Sequence, residues 1–356
     1  MIDIGGSAGH AINNAAHVAG VFSIANVTHA FLWTPTGGMK DLGTLVLDGD
    51  VAGVNGSDRV VGFNRADLFS PAHAFLWSSS VGMKDLGTLP GADYSVASAV
   101  NKYGQVVGAS AHAFSWTSAS GMKDLGTLGG EASAALAIND SGEIVGDSYI
   151  KGDVSVHAFL WTAAAGMQDL GTLGGTYSSA HAINSLGQVV GRSTTGGDIE
   201  LAALFVWSAK SGMQNLSSLI PSNSGWQLED AVSINRYGQI AVRAVRVAAP
   251  TTSRGLLLTP IMHTTLQSSG NPSVKGQTVT FTAVVSSIAG PVPKGESVTF
   301  TRNGTTILGT ATTSQGKAQL SVSSLPVGTN YIHAIYAGDS VYASRTSGVV
   351  KQVVTK

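Results

Sequence analysis

Five of the six tryptophans stand at one place in a repeated phrase: Trp33, Trp77, Trp116, Trp161 and Trp207 are spaced 44, 39, 45 and 46 residues apart. Each closes a run of the type His-Ala-Phe-Leu-Trp, opened by His29, His73, His112 and His157 in the first four copies. A Gly-Met-x-Asp-Leu run follows each of those copies. A period of ~40–50 residues is the length of one four-stranded propeller blade. The spacing therefore constrains the fold before any chemistry is considered.

Each unit contains four candidate strands. The first ends in small residues and an asparagine, as in Ala99-Val100-Asn101, Ala137-Ile138-Asn139 and Ala182-Ile183-Asn184. A glycine turn leads into a valine-rich second strand, Gly104-Gln105-Val106-Val107-Gly108. The third is the tryptophan run and the fourth is the stretch from Gly121 to Leu128. β-Branched and aromatic runs broken by Gly and Asn at short intervals read as antiparallel strands. No segment keeps a helical period, so helix is expected to be absent or minor.

The asparagine element occurs six times, at Asn13, Asn55, Asn101, Asn139, Asn184 and Asn235. The last tryptophan strand is worn to the run from Gly255 to Thr259, and the sixth unit lacks a fourth strand. The chain starts with one instead: Met1-Ile2-Asp3-Ile4-Gly5-Gly6 matches the Met-x-Asp-Leu-Gly element. This pattern predicts a closed six-bladed β-propeller, with residues 1–6 completing the last blade beside Gly255–Thr259 and hiding two sheet edges.

From about His263 the vocabulary changes. Strands are predicted at Thr264–Leu266, in 276–282, and at Ser297–Thr301, Ile307–Thr312, Ala318–Val322, Tyr331–Tyr336 and Val349–Val354. Seven short strands in ~95 residues fit an Ig-like β-sandwich. The expected fold is all-β: a propeller over residues 1–260 and an Ig-like sandwich over 261–356.

Composition narrows the function classes. Charged residues are 12% of the chain and Gly numbers 45, which suits tightly turned β-structure; disorder calls for low hydrophobicity with high net charge. The net charge is −1 with no basic run, which argues against a nucleic-acid partner. No apolar stretch reaches the ~18 residues of a membrane span. The chain has no cysteine, which removes disulfides, thiolate metal sites and cysteine nucleophiles. The first residues show neither a basic nor an apolar region, so the sequence as written reads as lacking a signal peptide.

The phrase His-Ala-Phe-Leu-Trp with Gly-Met-x-Asp-Leu-Gly-Thr-Leu-Gly-Gly resembles the bacterial HAF repeat over residues 1–260. Leu219-Ile220-Pro221 leading to Ser224-Gly225-Trp226 resembles the lead-in to the last repeat of such proteins. The tail, with Asn271-Pro272-Ser273-Val274, Ser324-Leu325-Pro326-Val327-Gly328-Thr329 and Tyr336-Ala337-Gly338-Asp339, resembles bacterial Ig-like repeats of surface proteins. The resemblance implies an extracellular or cell-surface protein with no established activity, and a tail acting as spacer or adhesive stalk. The fifth repeat departs from the pattern, with Leu201 where the others have His.

The repeated residues invite chemistry but read better as scaffold. His29, His73, His112 and His157 occupy one equivalent position and Asp3, Asp41, Asp85, Asp124 and Asp169 another. Metal ligands must converge within ~2.0–2.2 Å of one ion, whereas equivalent positions in a ring are spread around it. Each His is therefore expected to tie a strand end to a backbone group or Asp of its own repeat. The repeated tryptophans read as packing between blades. Trp226 lies off register in a loop, where it caps the structure or stacks on a sugar. The Gly-Gly pairs are turns, because a phosphate cradle needs helix N-terminal donors.

A hydrolase or lyase would want two carboxylates ~5–9.5 Å apart. The acids that break the repeat are its only donors: Asp48, Asp50, Asp58, Asp67, Asp93, Glu131, Asp198, Glu200, Glu229 and Asp230. Nothing in the sequence pairs them. No catalytic, cofactor-binding or metal-ligating residue is assigned, and no cofactor is expected. The sequence points to a monomeric, non-catalytic extracellular protein that binds a glycan or protein ligand. The competing reading is a propeller enzyme, hydrolase or lyase, acting on extracellular polysaccharide.

Overall fold

The computed structural model describes residues 4, 8–45, 49–65, 67, 69–196, 201–287, 290–292, 294–339, 342 and 344–356. The fold is all-β, with one 3-10 turn at Leu216–Leu219 among these residues. By contacts the chain divides into two compact units. One comprises Met1–Ile234 with Ile240–Leu256, and the other Asn235–Gln239 with Leu257–Lys356.

Within the first unit the repeat phrase folds as its strand pattern predicts. The third copy gives Val96–Val100, Val106–Ser110, His112–Thr117 and Gly121–Asp124, hydrogen-bonded antiparallel in that order. Asn101 makes the first turn: its side-chain oxygen accepts from the backbone N–H of Tyr103 and of Gln105, both at 3.1 Å. Gly104 supplies the positive φ of 81° that the turn needs. A bulge then shifts the register, with Val107 opposite Ala99 but Gly108 opposite Ala97. It brings the first strand so close that a Cβ on Gly108 would overlap the Val96 carbonyl oxygen. The closing glycine of the Val-Val-Gly run is thus a steric requirement.

Copies of this meander span 8–45, 50–85, 96–124, 129–169 and 174–215, which we call sheets one to five. Sheet six has three strands, Trp226–Ile234, Ile240–Arg246 and Ala249–Leu258. The paired valines of the second strand explain how the sheets stack. Side chains alternate faces along a strand. Val106 enters the core shared with sheet two, beside Val61 and Ala74, while Val107 enters the core shared with sheet four, beside Ile144 and Phe159. Val60 and Val61, and likewise Ile144 and Val145, divide between two cores in the same way. Sheets two to four are therefore buried on both faces.

The expected closed six-bladed propeller is overturned. Sheet six ends at three strands, and no described strand pairs with the far edge of Ala249–Leu258. The strand expected to complete it, residues 1–6, lies outside the described residues except for Ile4. Nor are all the sheets separate blades. The ten-residue strand Gly174–Ile183 reaches past its own sheet and pairs parallel with sheet four at Val156 and Tyr177, which merges sheets four and five into one eight-stranded sheet. Trp33, which a closed ring would bury against sheet six, is only half-buried. The HAF-repeat propeller architecture expected for residues 1–260 is corrected accordingly: the repeat builds a succession of small antiparallel sheets.

The second unit carries an Ig-like arrangement of two sheets. One sheet holds His263–Ser268, Val279–Ser287, Gly290–Pro291 and Lys317–Val322. The other holds Ser273–Val274, Ser297–Arg302, Thr306–Thr312, Gly328–Tyr336, Arg345–Thr346 and Val350–Thr355. Alternation is strict along Val279–Ser287, where Val279, Phe281, Ala283 and Val285 are buried. They meet Val298, Phe300, Ile332 and Tyr336 in a single core.

Candidate functional site

The repeated polar residues are consumed by the scaffold. His29 and Asp41, His73 and Asp85, and His112 and Asp124 each pair through Nδ1–H and a carboxylate oxygen at 2.9 Å. His157 pairs with Asp169 at 2.8 Å. The other oxygen of Asp85, Asp124 and Asp169 accepts from the backbone N–H two residues on, at 2.7 Å. Each pair lies within one repeat, as expected. Strand register places Ala203, rather than Leu201, at the histidine position of the fifth copy: Ala203 faces Ser193 as His157 faces Ser148. Asn215 replaces the aspartate there, so both partners are lost together.

Two further polar systems were not legible from residue type. The turn asparagines form a ladder between sheets: the amide of Asn13 donates to Asn55 O at 2.9 Å, Asn55 to Asn101 O at 2.8 Å, Asn101 to Asn139 O at 3.3 Å and Asn139 to Asn184 O at 3.0 Å. Buried serines clip one sheet to the next. Ser133 Oγ accepts from Ala113 N at 2.8 Å and donates to Gly126 O at 2.6 Å; Ser95 and Ser178 do the same one copy earlier and later. The recurrence of Asn marked the turn; that its amide reaches a residue ~40 positions away is a tertiary fact.

The tryptophans belong to packing. Trp77, Trp116 and Trp161 are buried in successive cores, with Trp207 half-buried against the next. A lysine of the preceding sheet covers each of the first three: Lys40, Lys84 and Lys123 lie 4.9, 5.0 and 5.5 Å from the ring centroids. Gln168 takes that position before Trp207.

Of the acids that break the repeat, Asp48, Asp198 and Glu200 lie outside the described residues. Asp50 pairs with His10 at 2.8 Å and Asp58 with His17 at 2.6 Å. Asp67 caps its own loop, and the backbone N–H of Phe69 holds its pKa below the usual carboxylate value. Asp93 and Glu131 are exposed. Glu229 and Asp230 sit on the first strand of sheet six among cations. Glu229 accepts from Ser253 Oγ at 2.7 Å and lies 3.4 Å from Arg243, while Asp230 lies 3.9 Å from both His181 and Arg192. A member of this polar seam escaped the sequence reading. Asp147 follows the second-strand glycine where Val21, Phe63 and Ala109 stand in sheets one to three. Burial raises its pKa, and it accepts from Ser179 Oγ at 2.6 Å. A break in the repeat at that position was the signal.

Among the described residues, no three His, Asp or Glu side chains gather as a metal-holding group, and no helix is long and apolar enough to cross a membrane. Clefts among the described residues of the first unit include three. One, of about 440 Å³, is lined by Arg65, His73 and Asp85 and so contains a scaffold pair. A second, on sheet six, is lined by Trp226, Arg246, Arg254, Gly255 and Leu256; the Arg246 guanidinium lies 4.3 Å from the Trp226 ring centroid. The third, of about 250 Å³, opens between sheets two and three and gathers Arg59, Lys84, Tyr103 and Trp116 with serine hydroxyls. The second and third have no carboxylate in their lining.

Residues 266–355 match the bacterial Ig-like domain (group 3) family. The match gives the Ig-like character of the tail a family, but it does not reach the repeat, so the resemblance of residues 1–260 to the HAF repeat gains no support. No curated protein matches the chain. Solved structures it is similar to include the extracellular domain of a B. thetaiotaomicron one-component system, at 8% identity and a TM-score of 0.34, covering 96% of this chain and 56% of that one. Domains 4 and 5 of the S-layer protein SbsC match at 10% identity and a TM-score of 0.19, covering 50% of this chain and 94% of that one. This chain thus spans 56% of the length of the first of these structures.

Proposed function

We propose that this chain is a non-catalytic, monomeric binding and structural protein of the extracellular space or cell surface. Its repeat unit, residues 1–260, recognises a glycan or protein ligand; its Ig-like unit, residues 261–356, serves as a spacer. The observation that carries this reading is the disposition of charge. Of the described acids a hydrolase or lyase would use, Asp50, Asp58, Asp67, Glu229 and Asp230 lie against histidines, arginines or backbone amides, and Asp93 and Glu131 are exposed. Two open clefts instead present aromatic rings and cations. Aromatic faces with a few placed polar groups suit binding without turnover. The resemblance of the tail to Ig-like repeats of surface proteins supports the location.

A glycan and protein-ligand array probed with the full chain tests the reading. Saturable, reversible capture of one ligand class is the expected result. Release of new reducing ends or unsaturated products from a captured polysaccharide would replace it with the enzyme reading.

A further inference from the structure

We infer that the cleft between sheets two and three is the ligand site of this binding function, on which the inference rests, and that it takes an anionic saccharide. The argument starts from a position common to every copy. The residue four after each turn asparagine is His17, Arg59, Gln105, Glu143, Gln188 or Gln239. In successive copies it reaches the turn of the next sheet. Arg59 lies against Gly104, Gln105 Oε1 approaches Gly142 and the Glu143 carboxylate approaches Gly187. At the first junction Asp58 takes the place of that glycine and pairs with His17 at 2.6 Å. The fourth junction carries an acid, Glu143, and the third a neutral amide, Gln105. Only the second sets an arginine there.

Arg59 is joined by Lys84, whose Nζ lies 5.0 Å from the Trp116 ring centroid. Neither cation has a carboxylate partner among the described residues, and no acid lines the cleft. Two like charges held on low-dielectric walls raise the local potential for an anion. The guanidinium fork matches a carboxylate or sulfate in two hydrogen bonds. Tyr103 stands two after its turn asparagine, where the neighbouring sheets two and four have Ser57 and Ser141 and sheet six has Tyr237. It is 68% exposed and lines the cleft beside the cations, with Lys102 Nζ 4.8 Å from its ring centroid. Ser80 and Ser118 add hydroxyls that both donate and accept, as sugar hydroxyls require. At about 250 Å³ the space suits one acidic sugar ring of a longer chain.

Isothermal titration of the full chain with trigalacturonate, its methyl ester, a sulfated disaccharide and hexaglutamate tests this. Trigalacturonate should bind, its methyl ester should bind about tenfold more weakly or worse, and salt should weaken the former selectively. The sulfated disaccharide decides whether the anion may be sulfate as well as carboxylate. Arg59→Gln and Tyr103→Ser install residues that other copies already carry, so both should keep the parent's thermal midpoint. Arg59→Gln should lose about tenfold or more in affinity, the worth of a hydrogen bond to a charged group; Arg254→Gln on sheet six should lose none. Equal binding of acid and ester, preference for hexaglutamate, or an Arg59→Gln variant that binds like the parent would overturn the assignment. If the full chain captures neutral glycans on the array but not trigalacturonate, the cleft assignment fails and the binding reading stands. If nothing is captured in either experiment, both fail.

Discussion

The repeat unit and the Ig-like tail bury similar side chains by different means. In the tail one core lies between two sheets, and two buried amides organise its polar interior: Gln352 accepts from Ser268 Oγ at 2.6 Å and donates to Gly270 O at 2.9 Å, and Asn330 donates to Pro326 O at 2.9 Å. In the repeat unit an interior sheet has a core on each face, and successive sheets are tied by the asparagine ladder and serine clips. Apolar contact is non-directional, whereas hydrogen bonds fix one geometry. The repeat therefore uses polar ladders to hold its stacking register, and the tail relies on alternation and sheet pairing.

The largest expected effects test whether the two cores are separate. Trp116→Ala should cost on the order of 3–5 kcal/mol and Phe300→Ala a similar amount. By calorimetry each substitution should depress a different transition. If either variant lowers both transitions together, the contrast between the units breaks down. Residues 261–356 expressed alone should likewise give a folded far-ultraviolet circular dichroism spectrum.

Next in size is the ladder. Asn101 is 4% exposed, accepts two turn amides and donates to Asn139 O. Asn101→Ala should cost about 1–3 kcal/mol, because it strands buried backbone groups. Hydrogen exchange should quicken in sheet four as well as sheet three. Exchange confined to sheet three would reduce the ladder to a set of local turns.

Asp147 gives a pH-dependent effect. Burial raises its folded pKa above the ordinary aspartate value, so its favourable contribution is complete below that value and is lost as pH rises through the folded pKa. Asp147→Asn removes the penalty. The variant's thermal midpoint should gain on the parent's as pH climbs from the acid range, and the gap should level off above the folded pKa. A gap independent of pH would mean that the carboxylate is solvated. The smallest effect belongs to the half-exposed scaffold pairs: His112→Gln should cost less than about 1 kcal/mol in urea titration. A larger loss would place these pairs beside the ladder as organisers of the stack.

The structure of a single repeat was readable from its residues. Asn101 and Gly104 announce a turn, His112–Thr117 and Gly121–Asp124 announce their strands, and strict alternation announces Val279–Ser287. The in-repeat pairing of His112 with Asp124 was readable too, because both partners recur at one spacing. The seam around Asp147 and Asp230 and the cleft at Arg59 were not. Their members come from neighbouring sheets and each is an exception to the consensus, so no spacing rule brings them together.

By itself the sequence determined the order of strands within each repeat and the Ig-like character of the tail. Both depend on neighbours in the chain and on side-chain periodicity. The tertiary structure alone decided that sheets four and five merge, that Asn101 reaches Asn139, and that Arg59 and Lys84 share a carboxylate-free cleft with Tyr103. Among the described residues it also left sheet six at three strands where the repeat count had predicted a closed ring. A repeat encodes how each copy folds and packs on the next. Closure depends on small rotations summed over all the sheets and on contacts between distant copies, and no local pattern records either.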